Sequence, residues 1–384
     1  MRASTIPEKE HPSSLEVSEA SPPERDGAIE VDGVLITDID LIAEIESHRK
    51  FDLRLRRKMD GLTRDTQIKR NETANRRSTM TSVQRRRDMT REVISGQELE
   101  QSDIHHVHSI LALCALPYRK LPDEQHHYTR EYGKMSLTVQ SGFLKDPHSG
   151  KMIMQGLPYG TKARLLQLYI CTRALRQQSP EVEIEESMSG FIRSLGFDVT
   201  GGKKGSIVLF KEQLQRLAAC NMTLGFWDGQ SRARTVKANP IESFEVWFPE
   251  DPDQKMLWPS KVTLSQKFYD SLVEHALPVD IRIYSALSQS SRQMDIILWL
   301  AYRLKSLNSK YFLTWDILKE QFCQSPTHRL DHFQKEFSKD LAQIAEALDP
   351  DKKQLPIQLT EKGAFLFPVT PDKFLIPPKK GGKH

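Results

Sequence analysis

Three groups of cationic and amide side chains in this 384-residue chain have the types and spacing to bind DNA. Arg85, Arg86 and Arg87 form an unbroken run, and guanidinium groups neutralise phosphates without a preformed pocket. Lys203 and Lys204 stand in a glycine-flanked turn where they could clamp phosphate. Gln213, Gln215 and Arg216 follow on the polar side of a helical pattern, with Arg232, Arg234 and Lys237 beyond it. Residues 201–237 carry seven Lys/Arg against two Asp/Glu, so this neighbourhood is locally basic. The third group is His328, Arg329, His332, Lys335 and Lys339, in which the helix face is diluted by Asp331, Glu336 and Asp340. Amides and basic side chains near a helix N-terminus can reach base edges in the major groove. A single lysine or arginine is more commonly a solvated charge; the clusters carry the weight.

Enzymatic chemistry finds less support. His106-Val107-His108 spells the two-histidine pattern of a rolling-circle nickase, which needs both imidazoles on one side of a strand and a tyrosine nearby. Ile104, Val107, Leu111 and Cys114 instead step as one helical stripe, and residues two apart on a helix diverge by about 200°. Neither Gly201–Ser206 nor Gly160–Lys162 ends as a phosphate loop does. Cys114, Cys171, Cys220 and Cys323 lie far apart with no metal-ligand spacing. The expectation is no enzyme, no metal and no cofactor. Apolar stretches such as 296–304 fall short of the roughly 20 residues that span a bilayer, so a cytoplasmic protein with reduced thiols is expected.

The elements that would position these groups follow from periodicity. Residues 1–48 hold twelve acids against three bases and residues 49–91 fifteen bases against five acids. This reads as a mostly disordered acidic head, 1–48, and a basic arm, 49–98, partly helical or disordered, with a charged helix over 40–59. Met135, Leu137 and Val139 alternate, and the 146–150 turn leads into Met152 and Met154 as in a hairpin. The apolar run 163–170 predicts a core helix; shorter helices over 187–196 and from a Ser206 cap to Asn221 precede strands at 224–228, 241–248 and 257–264. After Pro278 the order recurs: helices at 294–307, 314–322 and 328–348, then a ribbon at 355–369. Helices followed by a strand ribbon predict an α+β, mainly helical protein with two tandem winged-helix domains, 99–277 and 278–372, and a basic tail, 373–384.

Leu116-Pro117-Tyr118-Arg119, the run Leu157–Leu166 and the run Ser187–Gly196 resemble the RepA replication initiators of bacterial plasmids. The likeness continues through 213–218, Pro278-Val279-Asp280, 290–303 and 315–322, spanning roughly 104–375, and departs at Cys323-Gln324-Ser325-Pro326, where the pattern carries a glycine after Phe322. The resemblance implies a bacterial protein that binds repeated double-stranded sites at an origin, helps open the duplex and recruits the host initiator and replicative helicase. It also implies that the C-terminal domain makes the main specific contacts. A homodimer stays open, and a transcriptional repressor on the same fold is the alternative, since fold alone does not separate the two.

Overall fold

The structure, a computed structural model, describes residues 28–369 apart from 82–83, 86, 90, 93–98, 147–148, 184–187, 195–198, 203–204, 246–260, 326 and 349–354. Among the described residues about 50% helix and 22% strand make this an α+β protein. The chain divides into two compact units, Met1–Met80 and Thr81–His384.

In the first unit, β1 (Ile29–Val31) and β2 (Val34–Ile36) form a hairpin whose turn takes positive φ at Asp32 and Gly33. Helix α1 (Ile39–Ser47) lays Leu41 and Ile45 against Ile36, closing a small core. Helix α2 (Leu53–Ser78) then starts afresh, because the Asp52 carboxylate accepts the N–H groups of Arg54 and Leu55. Gln67 on α2 accepts from the Thr37 and Asp38 N–H groups at 3.3 Å. The expectation of a disordered head to residue 48 is therefore corrected from Ile29 onward, while residues 1–27 lie outside the described ones. The helix expected over 40–59 is two helices, broken at 48–52.

In the second unit the stretch expected as a helix over 102–116 is β3 (Ile104–His108) followed by the short α3 (Ile110–Leu113). Its helical spacing is a coincidence of a strand buried on both faces with one helical turn, which is why Val107 and His108 are both inaccessible. Strands β4 (His127–Tyr132) and β5 (Met135–Gln140) form a hairpin, as do β6 (Phe143–Lys145) and β7 (Met152–Met154). Helix α4 (Gly160–Gln177) is buried along most of its length, as its apolar run requires. Strand β8 (Glu181–Glu183), α5 (Met188–Ser194) and α6 (Ser206–Ala219) follow. Gly205, not Ser206, occupies the N-cap of α6, and Asn221 opens a strand instead of ending the helix. Strands β9 (Asn221–Trp227) and β10 (Ala233–Ala238) complete an antiparallel sheet in the order β10-β9-β5-β4. Strands β11 (Ser243–Glu245) and β12 (Lys261–Thr263) join β8. Helix α7 (Gln266–His275) leads into β13 (Ala276–Asp280), which pairs antiparallel with β3; the boundary expected at 277–278 falls inside it.

The remaining elements are α8 (Ile281–Ala286), α9 (Ser291–Lys305), β14 (Tyr311–Thr314), α10 (Trp315–Phe322), α11 (Leu330–Leu348), β15 (Ile357–Thr360) and β16 (Gly363–Leu366). The last three strands form one antiparallel sheet in the order β14-β16-β15. A Cβ on Gly363 would run into the Leu313 carbonyl, so the approach of β16 to β14 demands glycine there.

A single apolar core runs from α4 through α9 to the final sheet. One polar clasp crosses it. Arg164 on α4 donates from Nε and Nη2 to the two carboxylate oxygens of Asp295 on α9, each at 2.7 Å. Its Nη groups also donate to the carbonyls of Leu116, Pro117 and Gly160, and the Tyr118 ring lies against the guanidinium. Burial alone would lower the Arg164 pKa, but Asp295 outweighs it and holds the guanidinium above its ordinary range.

Candidate nucleic-acid interface

The group expected on the third helix of the second half is brought together. Phe333, Phe337, Leu341, Ile344 and Leu348 form the buried stripe of α11, as their spacing predicts. They meet α10, where Trp315 stands edge-on to Phe333 and Phe337, and Phe322 packs on Phe337 at 5.3 Å. Thr314 caps α10 by accepting the Ile317 N–H, and the Trp315 Nε1–H donates to the carbonyls of Thr360 and Glu361 in the β15–β16 turn. Helix pair and hairpin are thus fastened through one indole.

The opposite face of α11 exposes His332, Lys335, Ser338 and Lys339. The acids expected to dilute it are each engaged by an arginine. Arg292 donates to Glu336 at 2.8 Å and to Asp340, which is buried, and Arg329 bonds Asp331 at 3.0 Å. Arg292 accordingly holds the Glu336 carboxyl below its usual range, and Arg329 does the same for Asp331. What remains toward solvent is a cationic and polar strip. His328 is half-buried and stands 3.6 Å from the Glu336 carboxylate, at the N-terminal end of that strip. Arg292 carries no signal of this role in the sequence, because its partners lie more than forty residues away. Lys362, exposed at the tip of the β15–β16 hairpin, was also missed, although the Glu-Lys-Gly turn sits inside the expected ribbon.

The group expected on α6 is dispersed. Gln213 is buried and accepts the Tyr159 N–H at 2.8 Å. Arg216 is 9% exposed, donates to the Leu157 carbonyl and to Glu212, and lies over the Tyr159 ring. Both fasten the 157–159 segment to α6, which corrects the expectation that they face DNA; only Gln215 is half-exposed there. Lys203 and Lys204 lie outside the described residues. Arg232 and Arg234 are exposed on the β9–β10 hairpin, whose turn is built by Asp228 accepting the N–H groups of Gln230, Ser231 and Arg232. Those bonds hold the Asp228 carboxyl below its usual range.

The arginine run is also divided. Arg85 is exposed and Arg86 lies outside the described residues. Arg87 is buried, donating to Gln293 Oε1 at 3.3 Å and lying 3.9 Å from Glu346, and Arg91 donates to the Glu346 carbonyl at 3.0 Å. Arg87 is a packing residue against α9 and α11, which corrects its place among phosphate ligands.

His106 and His108 do sit on one side of a strand, so helix geometry does not keep them apart as expected. Hydrogen bonding occupies His108 instead. The Ile110 N–H donates to His108 Nδ1, which leaves the proton on Nε2 for Ser271 Oγ at 2.9 Å; both nitrogens of this ring are engaged. Among the described residues no group of three or more His, Cys, Asp or Glu is placed to hold a metal ion. Cys114, Cys171 and Cys220 are buried, and burial pushes each thiol up to about 12, far from a reactive thiolate. No described helix is long and apolar enough to cross a membrane.

No curated protein matches the chain. Two crystal structures of domains 2 and 3 of RctB, one of them a selenomethionine derivative, superpose with TM-scores of 0.43 and 0.40 at 10% sequence identity. They cover 68% and 67% of this chain and 98% and 94% of their own, a likeness too distant to argue from. The family described as plasmid encoded RepA protein matches residues 157–317, from the segment held by Gln213 and Arg216 to the first turn of α10. Through that segment the chain is similar to plasmid encoded RepA proteins.

Proposed function

We propose that this protein starts plasmid replication by binding repeated duplex sites at the origin through a winged-helix module, residues 291–366, whose α11 lies in the major groove. The observation that carries this reading is the exposed strip of His332, Lys335, Ser338 and Lys339, from which Arg292 and Arg329 have removed the competing negative charge. The order helix, strand, helix, helix, hairpin, with sheet order β14-β16-β15, supports it, and Lys362 at the hairpin tip suits a phosphate of the adjoining groove. Arg232 and Arg234 on β9–β10 would add backbone contacts from the first half, as a second winged helix. Duplex opening would then draw on binding energy and on host initiator and helicase.

Replacing Lys335 and Lys339 together by alanine should weaken binding to an origin repeat by about tenfold or more, as the removal of two groove-facing cations implies. Footprinting on the origin checks it; full retention of affinity would move recognition elsewhere, and protection of a lone palindrome in place of a repeat array would make the protein a repressor.

The exposed cations of α2, among them Arg54, Arg57, Lys58 and Lys69, are proposed to add nonspecific affinity. Changing these four to glutamine should flatten the plot of log K against log salt by about 0.9 for each phosphate no longer neutralised, with sequence preference kept. An unchanged slope would take α2 off the phosphates.

A further inference from the structure

The final sheet has two faces that obey different rules. Its inner face carries Leu313, Ala364 and Leu366 into the core. Alternation sends Phe312 and Phe365 to the other side, where an antiparallel sheet with one solvated face ordinarily shows polar residues. Phe312 pairs with Phe365 across β14 and β16, their rings 4.8 Å apart, and Phe312 remains 38% exposed. Phe367 extends the row, since its N–H donates to the Pro356 carbonyl and continues the β15–β16 ladder. The Lys310 ammonium sits 3.7 Å from the centre of the Phe365 ring and 5.1 Å from that of Phe367. Gln358, opposite Phe365, and Thr360 fill positions on the same side and carry no charge. Three aromatic rings and a cation therefore line a solvated sheet face.

We infer that this face, Lys310 with Phe312, Phe365 and Phe367, binds single-stranded DNA. Aromatic rings beside a cation offer a surface on which bases stack while the ammonium meets the phosphates between them, and the recognition is tolerant of sequence. Double-stranded DNA cannot use such rings, because its base faces are already covered by their neighbours. The cation and the uncharged flanks complement a polyanion. The inference rests on the reading of the protein as an origin binder: the exposed strip of α11 would hold duplex while the outer face of the sheet takes the strand released beside it.

The test uses the full chain with a fluorescent 20-nucleotide oligothymidine and a duplex origin repeat. Phe312→Thr and Phe365→Thr keep a residue suited to a strand but remove the ring. Each should raise the Kd for the oligothymidine about tenfold or more, as loss of one stacked base implies, and leave the duplex Kd within about twofold. Phe312→Tyr, which restores a ring, should bind the oligothymidine like the parent. Unfolding midpoints of the variants separate lost stacking from lost structure, because a destabilised module would lose both ligands together. The inference is overturned if the parent ignores the oligothymidine, if both threonine variants bind it unchanged, or if duplex and single-strand affinity fall equally. Failure of the parent to bind any duplex repeat would instead sink the origin-binding reading.

Discussion

Asp295→Ala should cost about 3–5 kcal/mol of folding stability, the range for removing one partner of a buried ion pair. The cost arises because the Arg164 guanidinium keeps its carbonyl partners but loses both charge-assisted bonds, while remaining 4% exposed in the core. Urea unfolding of parent and variant at neutral pH measures it through the shift in midpoint. A companion variant separates charge from packing. Arg164→Met with Asp295→Leu should recover much of the loss, because two apolar side chains of similar volume carry no desolvation penalty. A single Asp295→Ala change that costs less than about 1 kcal/mol of folding stability would show that the clasp is solvated in solution. Because α4 and α9 meet through this pair, the loss should be felt across the whole Thr81–His384 unit.

Acid should destabilise the same unit through two histidines of β3. Burial, and secondarily the charge of His275, lowers the His108 pKa from 6.5 to about 4. Burial likewise lowers His105 to about 4, helped by the nearby Arg176 charge. In both cases the folded state binds the proton less readily than the unfolded chain does. The stability they lend is complete above pH 6.5 and is lost as pH falls from there toward 4. For the inaccessible His108 the loss is on the order of 3 kcal/mol over that window, since each tenfold change in proton affinity is worth about 1.4 kcal/mol. His108→Asn, which can still accept the Ile110 N–H, should flatten the pH dependence of the urea midpoint between pH 6.5 and 4 relative to the parent. Parallel curves for parent and variant would show that His108 is not titrating in the seam between β3 and β13.

How much of this could be read from residue order depends on the range of the interactions. The apolar runs of α4 and α9 and the stripe of α11 were legible because burial over adjacent helical turns is written in neighbouring residues, and the β6–β7 hairpin because its turn and alternation are local. Strand β3 was not legible, because three of its five residues are histidines and it buries the adjacent Val107 and His108 together, so it shows no alternation of apolar and polar residues. Strand β14 is four residues long and gains its identity from pairing with β16, some fifty residues later. The break at Asp52 was hidden for a different reason: a cap inside a charged run looks like one more charge until the chain on either side is seen to turn.

The cationic groups divide along the same line. Their positions, the stripe behind Lys335 and Lys339, and the excess of basic charge in 201–237 are properties of residue order alone. Which of them still face solvent is not. Gln213 and Arg216 went to a segment more than fifty residues earlier in the chain, and Arg87 to side chains more than two hundred residues later. On α11 the opposite happened: Arg292, from another helix, took up two of the acids and left the lysines exposed. A side chain's chemistry is written at its own position, but its availability is set by desolvation and pairing with groups that only the folded chain brings within reach.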